Sequence, residues 1–392
     1  MDYTQEVFIK LLSEYIDGNW DFTINEEKVD WNQLVELSSI HSVCGIIYLS
    51  LKEKNVNRKN LMDYLQSRFN KESGFAIRQQ IVYDRTLSLF EKYGIKNVVS
   101  KGYVLKKLYP NEEVRTMGDM DILISEENSK KTDEMLKENG YTIDNVFVNE
   151  IGYAKSGCAI EIHTSLMDLG NDFDYSSYFK EKSKYALPYR GEYTYVLKNE
   201  DHLIYLLAHI AKHFYNEGCG IRMIMDIAVF TKKYMSSLDW DYIFVELKNI
   251  KLFEFSNNIF YLCNKWFGVK VTNHIMSDEL YKAIFTYIME GGTFGFHSKM
   301  IGTKLVRNEK NRNAFVGIFN WFFPKDELMR KKLPWYKDKP KFLLPIAWVI
   351  MWFRASKSKN SVEVEKIKNA LNGRKEAEKE FKLLKELGLY QK

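Results

Sequence analysis

The sequence predicts an α+β fold, a strand-bearing core flanked by an N-terminal and a C-terminal helical region, and three observations carry that prediction. Apolar residues recur at helical spacing over residues 1–90. Short alternating runs punctuated by glycine occupy residues 91–190, and helical spacing returns from Asn199 and fills residues 191–392.

In the first region Val7, Leu11 and Tyr15 form one apolar stripe, Leu34, Leu37 and Ile40 a second, and Ile77, Ile81 and Leu87 a third. In the second, Ile95 to Ser100 reads as a short strand bounded by Gly94 and Gly102. Tyr103 to Leu108 then reads as a short helix that Pro110 ends. Met120 to Ile124 is apolar except for Asp121, and residues two apart in a strand share a face. Asp119 and Asp121 therefore point one way while Met120 and Ile122 point into a core. Tyr153 to Lys155 and Cys158 to His163 flank Ser156-Gly157, the signature of a tight hairpin. Ile160 and Ile162 take one face of the second strand; Ala159, Glu161 and His163 take the other. In the third region Asn199 or Asp201 caps the first helix, and Ser361 to Leu389 reads as one amphipathic helix or a pair.

The two acids of Asp119-Met120-Asp121 start roughly 6.6 Å apart, at about 3.3 Å per residue, and can lean together onto one cation. Their apolar neighbours make an idle double negative charge costly. Hard oxygen ligands suit Mg²⁺, or alternatively Mn²⁺, which joins carboxylates to substrate phosphates. Glu161 offers a third carboxylate from a neighbouring strand, as a two-metal phosphoryl-transfer site requires. Gly102, between strand and helix, lets the backbone approach a phosphate, and Lys101 places a mobile positive charge beside it.

In order and spacing, Lys101-Gly102, Leu105, Tyr109-Pro110, Arg115, Gly118-Asp119-Met120-Asp121-Ile122-Leu123-Ile124 and then Glu161-Ile162-His163 resemble the uncharacterised bacterial nucleotidyltransferase family. That family is a branch of the superfamily whose founding relative is DNA polymerase beta. Lys101 stands where other branches carry glycine or serine. The resemblance implies a nucleotidyltransferase-type mixed-sheet core, with Asp119, Asp121 and Glu161 as metal-binding and catalytic residues. Lys101 and Gly102 would seat the triphosphate of a donor such as ATP. Looser matches extend it outward, from Trp31 to Val43 and through His209, His213, Arg222 and Asp226. By resemblance, Arg222 reaches phosphate and Asp226 holds the base or acceptor; read without it, two residues four apart form a surface ion pair. Arg115 contacts phosphate or the acids, or is a strand-edge charge.

His209 and His213 share a helix face, but Ile210 stands where a zinc protease needs glutamate, so both read as acceptor-contacting or structural side chains. His202, seven residues before His209, extends the same face toward the cleft. His163 is a candidate acceptor or phosphate contact.

The net charge of +5 over 392 residues does not demand nucleic acid. Cys44, Cys158, Cys219 and Cys263 are scattered without a paired motif, which argues against zinc and a disulfide framework and fits a cytoplasmic setting. The N-terminus carries acids and no basic segment ahead of an apolar one, unlike a secretory signal. Phe342 to Phe353 is apolar but is 12 residues long, against about 20 needed to span a bilayer, and Pro345 interrupts it, so it reads as a buried helix rather than a membrane contact. The acceptor stays open among a small hydroxylated molecule, a tRNA end and a protein side chain. A tRNA-modifying toxin on the same core and a non-catalytic nucleotide-binding module are the competing readings.

Overall fold

The structure is a computed structural model that describes residues 1–167, 175–216, 218–292, 323–357 and 374–389. Helices α1 (Tyr3–Asp17), α2 (Trp31–Ile40), α3 (Cys44–Glu53) and α4 (Lys59–Tyr93) open the chain. Strand β1 (Asn97–Val99) leads through a single helical turn, α5 (Gly102–Leu105), to β2 (Asp119–Ile124) and α6 (Ser129–Glu138). Strands β3 (Thr142–Val146), β4 (Glu150–Lys155) and β5 (Cys158–His163) form a meander; α7 (Ser176–Ser183) precedes β6 (Leu187–Arg190) and β7 (Thr194–Val196). Helices α8 (Asn199–Asn216), α9 (Ile221–Tyr234), α10 (Trp240–Asn249), α11 (Phe253–Phe267) and α12 (Asp278–Gly291) follow. Then come α13 (Asp326–Lys332), α14 (Leu344–Lys357) and α15 (Arg374–Glu386).

The strands make one mixed sheet in the order β3-β4-β5-β2-β1-β7-β6. Strand β2 lies antiparallel to β1 and parallel to β5; β1 lies parallel to β7. The two faces of the sheet diverge as period-two alternation requires. Met120, Ile122, Ile124, Ile160 and Ile162 pack with Val82, Tyr83, Leu87 and Phe90 of α4 and with Met135 and Leu136 of α6. Val98 and Leu123, on the opposite face, join a larger core built from α1, α3, α8, α9 and α11. The helices that precede the sheet and those that follow it thus share one core.

The third apolar stripe is corrected. Leu87 is buried as expected, but Ile77 and Ile81 are exposed, and α4 turns Ala76, Gln79, Val82, Tyr83, Thr86 and Phe90 inward with Leu87. The buried polar groups on that stripe are satisfied: Gln79 Nε2 donates to Met117 O at 3.1 Å and Tyr83 Oη to Ala159 O at 3.1 Å. The segment at Phe342 is also corrected. It is helical from Leu344, but Phe342, Ile346 and Val349 are exposed, and Pro345 sits in the first turn, where its missing N–H costs nothing. Of the stretch Ser361 to Leu389, α15 is described; residues 361–373 lie outside the described residues. No helix among the described residues is long and apolar enough to cross a membrane.

Candidate functional site

Register brings the acids together. In the parallel pairing of β2 with β5, Asp121 stands beside Glu161, and Asp119 beside Ala159. The hairpin joining β4 to β5 turns through Ser156 (φ 52°) and Gly157 (φ 75°), the left-handed pair of a type I′ turn. Its register sets Glu150 opposite His163 and Gly152 opposite Glu161. One ligand atom each from Asp121, Glu161 and His163 lies within 4.8 Å of the others.

Asp121 is the centre of this cluster. Its Oδ1 accepts from Lys101 Nζ at 2.7 Å and lies 3.0 Å from His163 Nε2. His163 Nε2 is 3.5 Å from Glu161 Oε2, and its Nδ1 is 3.6 Å from Glu150 Oε2. Burial works against the charge on Asp121, but Lys101 and His163 outweigh it and hold the carboxyl below the usual carboxylate range. Asp119 moves the other way, to about 7, because it is buried and faces the charges of Asp121 and Glu161. Burial opposes charge on His163, yet its bonds to Asp121 and Glu161 raise it to about 9. Glu150 is pushed up by burial, with His163 acting in the opposite direction.

Lys101 is therefore already paired with Asp121. Its Nζ lies 5.7 Å from the Tyr205 ring centroid, and Asp121 overrides the cost of burial to keep it charged. Gly102 is needed for a reason other than the one its position suggests: a β-carbon there would lie 2.6 Å from Met117 Sδ and 2.9 Å from Arg115 Nη1. The glycine lets Arg115 and Met117 pack against the turn.

Arg115 and Asp226 are buried partners across 111 residues of chain. Arg115 Nε donates to Asp226 Oδ1 at 3.0 Å, Nη2 donates to Oδ2 at 2.7 Å, and Tyr109 Oη donates to Oδ1 at 2.8 Å. The expected surface pairing of Arg222 with Asp226 is replaced by this bidentate clamp, and the strand-edge position read for Arg115 is a buried one. Arg222 Nη1 donates instead to Thr116 O at 3.1 Å and Thr116 Oγ1 at 2.6 Å. Its Nε is buried without a partner, and burial together with Arg115 brings the guanidinium down to about 10.

A cleft of about 350 Å³ between the sheet and helices α8 and α9 joins these groups. Asp119, Asp121, Glu150 and Glu161 line one side; Arg115, Lys212 and Arg222 line it together with Lys101 and Gly102. His209 and His213 reach it too, with their Nε2 atoms 3.1 Å apart. Burial, and then Lys101 and His213, hold His209 well below the ordinary imidazole range, so it is neutral. His202 does not extend their face into the cleft; it is buried with its ring 5.3 Å from that of Phe230. Two helical turns at 3.6 residues each fall about 20° out of phase with a seven-residue spacing, which contributes to the divergence.

Glu150 and Lys212 are absent from the sequence reading. The signal for Glu150 is in the hairpin: counting five residues back from Lys155 and five on from Cys158 pairs it with His163. For Lys212 no comparable signal exists, because its place depends on how α8 docks on the sheet.

The model of an uncharacterised nucleotidyltransferase family matches residues 27–268, from just before α2 to the end of α11, and so includes every cleft residue named above. No curated protein and no solved structure matches the chain. With the matched span covering more than half the sequence, the chain belongs to the uncharacterised nucleotidyltransferase family, and nucleotidyl transfer is the activity that membership implies.

Proposed function

We propose that the protein moves a nucleoside monophosphate from a nucleoside triphosphate to an acceptor hydroxyl, releasing pyrophosphate in an Mg²⁺-dependent reaction. The observation that carries this reading is the convergence of Asp119, Asp121 and Glu161 on one face of β2 and β5, at the wall of a cleft that also presents Lys101 and Arg222. The donor set fits a hard divalent cation. Four carboxylates, counting Glu150, face the ammonium of Lys101 and the imidazole of His163, and Asp119 is raised first by burial and then by the charges of Asp121 and Glu161. Asp119, Asp121 and Glu161 would hold Mg²⁺ or Mn²⁺, which would supply charge neutralisation at the triphosphate and activation of the acceptor oxygen.

The remaining work falls to the chain's own groups. Lys101 and Arg222, which both line the cleft, bind the triphosphate as charge-assisted donors. Arg115, braced by Asp226 and Tyr109, sets the floor on which Gly102 and the turn rest. Glu161, part-exposed at the cleft, takes the acceptor's proton. The acceptor oxygen bonds to the α-phosphorus, the bond to the bridging oxygen breaks, and pyrophosphate leaves with the electron pair. His163 orients Asp121 and Glu161, and His209 and His213 face the acceptor. On this reading the strands and the turn at Lys101 and Gly102 supply the carboxylate side of the site, and helices α8 and α9 supply the opposite wall with Lys212 and Arg222.

Incubating the protein with each labelled nucleoside triphosphate, Mg²⁺ and cell extract tests the proposal. Label should enter one fraction, whether small molecule, tRNA or protein, with equal pyrophosphate release. Asp121→Asn should lower transfer by about a hundred- to a thousandfold, as loss of a charge-stabilising group does. Transfer surviving in both Asp119→Asn and Asp121→Asn would sink the assignment.

A further inference from the structure

We propose that Lys101 and the divalent cation compete for the same oxygen of Asp121, so that the incoming triphosphate, by drawing Lys101 away, opens the metal site, and nucleotide and cation load together. The inference rests on the metal and nucleotide reading given above.

Three observations support it. First, Asp121 Oδ1 already carries two nitrogen contacts, Lys101 Nζ at 2.7 Å and His163 Nε2 at 3.0 Å, and Asp121 is only 4% exposed. A divalent cation added to that oxygen while the ammonium stayed would set like charges side by side in a site with little water to screen them. Second, of the two occupants Lys101 is the one able to leave. His163 is fixed between Asp121, Glu161 and Glu150, whereas Lys101 reaches Asp121 through four methylenes from the cleft wall. Third, Lys101 has φ 48° and ψ −126°, a backbone region suited to glycine. Glycine would fit that turn without strain but has no side chain to supply the ammonium. A side chain sustained at such a position marks a function, and the function available is a cation that can pass between Asp121 and a triphosphate. Lys101 acts in this scheme as a placeholder: it balances Asp121 until the ligand that needs both groups arrives.

The test measures Mn²⁺ binding to the full chain by electron paramagnetic resonance, with and without a non-hydrolysable nucleoside triphosphate analogue. For the wild type, Mn²⁺ alone should bind weakly and the analogue should tighten it at least tenfold. Lys101→Met should bind Mn²⁺ alone at least tenfold more tightly than the wild type, so that the tightening added by the analogue, measured against the Mn²⁺–analogue complex without protein, is smaller than in the wild type. Tightening cannot come from structural damage, which would weaken the site. Lys101→Gln, of similar length, carries the same expectation if Lys101→Met does not fold. Unchanged or weaker Mn²⁺ binding in a folded Lys101 variant would overturn the competition while leaving the nucleotidyltransferase reading intact. Absence of Mn²⁺ binding from every protein, even with the analogue, would instead overturn the metal reading and this inference with it.

Discussion

Asp226 illustrates what one buried side chain does for the cleft. Both its oxygens are taken, by Arg115 in a bidentate pair and by Tyr109, and Arg115 in turn packs on Gly102 at the start of α5. Removing the charge leaves Arg115 buried, uncompensated and in the same wall as Arg222. Asp226→Asn is therefore expected to lower the unfolding free energy by about 3–5 kcal/mol, measured by urea titration. An unchanged midpoint would show that water reaches the clamp. The residues of this pair were readable only as candidates, since nothing in local spacing announces a partner 111 positions away. Asp119, Asp121 and Glu161 were legible because strand alternation alone sets their faces. The tight hold on Lys101 was not, because it depends on where Asp121 lies after the sheet has formed.

At the level of elements, the β4–β5 hairpin sets the alignment of the site. Its two-residue turn was plain in Ser156-Gly157, and from it follow the pairings of Glu150 with His163 and Gly152 with Glu161. Both turn residues have positive φ, so substitutions at the two positions should act in opposite directions. Ser156→Gly should raise stability by about 0.5–1 kcal/mol by relieving a left-handed non-glycine residue, whereas Gly157→Ala should cost about 1 kcal/mol. Thermal melts of the two variants check the pair; equal signs would mean the turn is not strained as described. Helix α4 is the counterexample. Its inward stripe carries Gln79, Tyr83 and Thr86, which bond to Met117, Ala159 and Tyr141, so apolar periodicity points to the solvent-facing Ile77 and Ile81 instead.

Across the whole molecule, the α+β class and the run of helix, strand and helix follow from periodicity, but the union of the first and last helices in one core does not. That union has a titratable joint. His41, after α2, accepts from the Ile221 N–H at the start of α9 at 3.3 Å, and burial brings its pKa down to about 4. Burial brings His202 to about 4 as well. Unfolded, each would bind a proton near pH 6.5; folded, each stays neutral until about pH 4. The unfolded state thus holds more protons between those values, and stability falls as pH drops from 6.5 to 4. The loss should be on the order of 3 kcal/mol for each histidine. His41→Asn keeps an acceptor and does not titrate, so its melting temperature should depend less steeply on pH across that window; an unaltered slope would show that His41 is not responsible.

The paired imidazoles in the cleft have a consequence of their own. Facing nitrogens 3.1 Å apart on His209 and His213 can share only one hydrogen between them. If His213 supplies it, neutral His209 carries its own hydrogen on Nδ1; if His209 supplies it, that Nδ1 is bare. Nδ1 of His209 is buried without a partner, so the first arrangement leaves an unmet donor beneath the cleft wall and the second an unmet acceptor. Whichever tautomer His213 takes thus decides which kind of unsatisfied group the protein buries there.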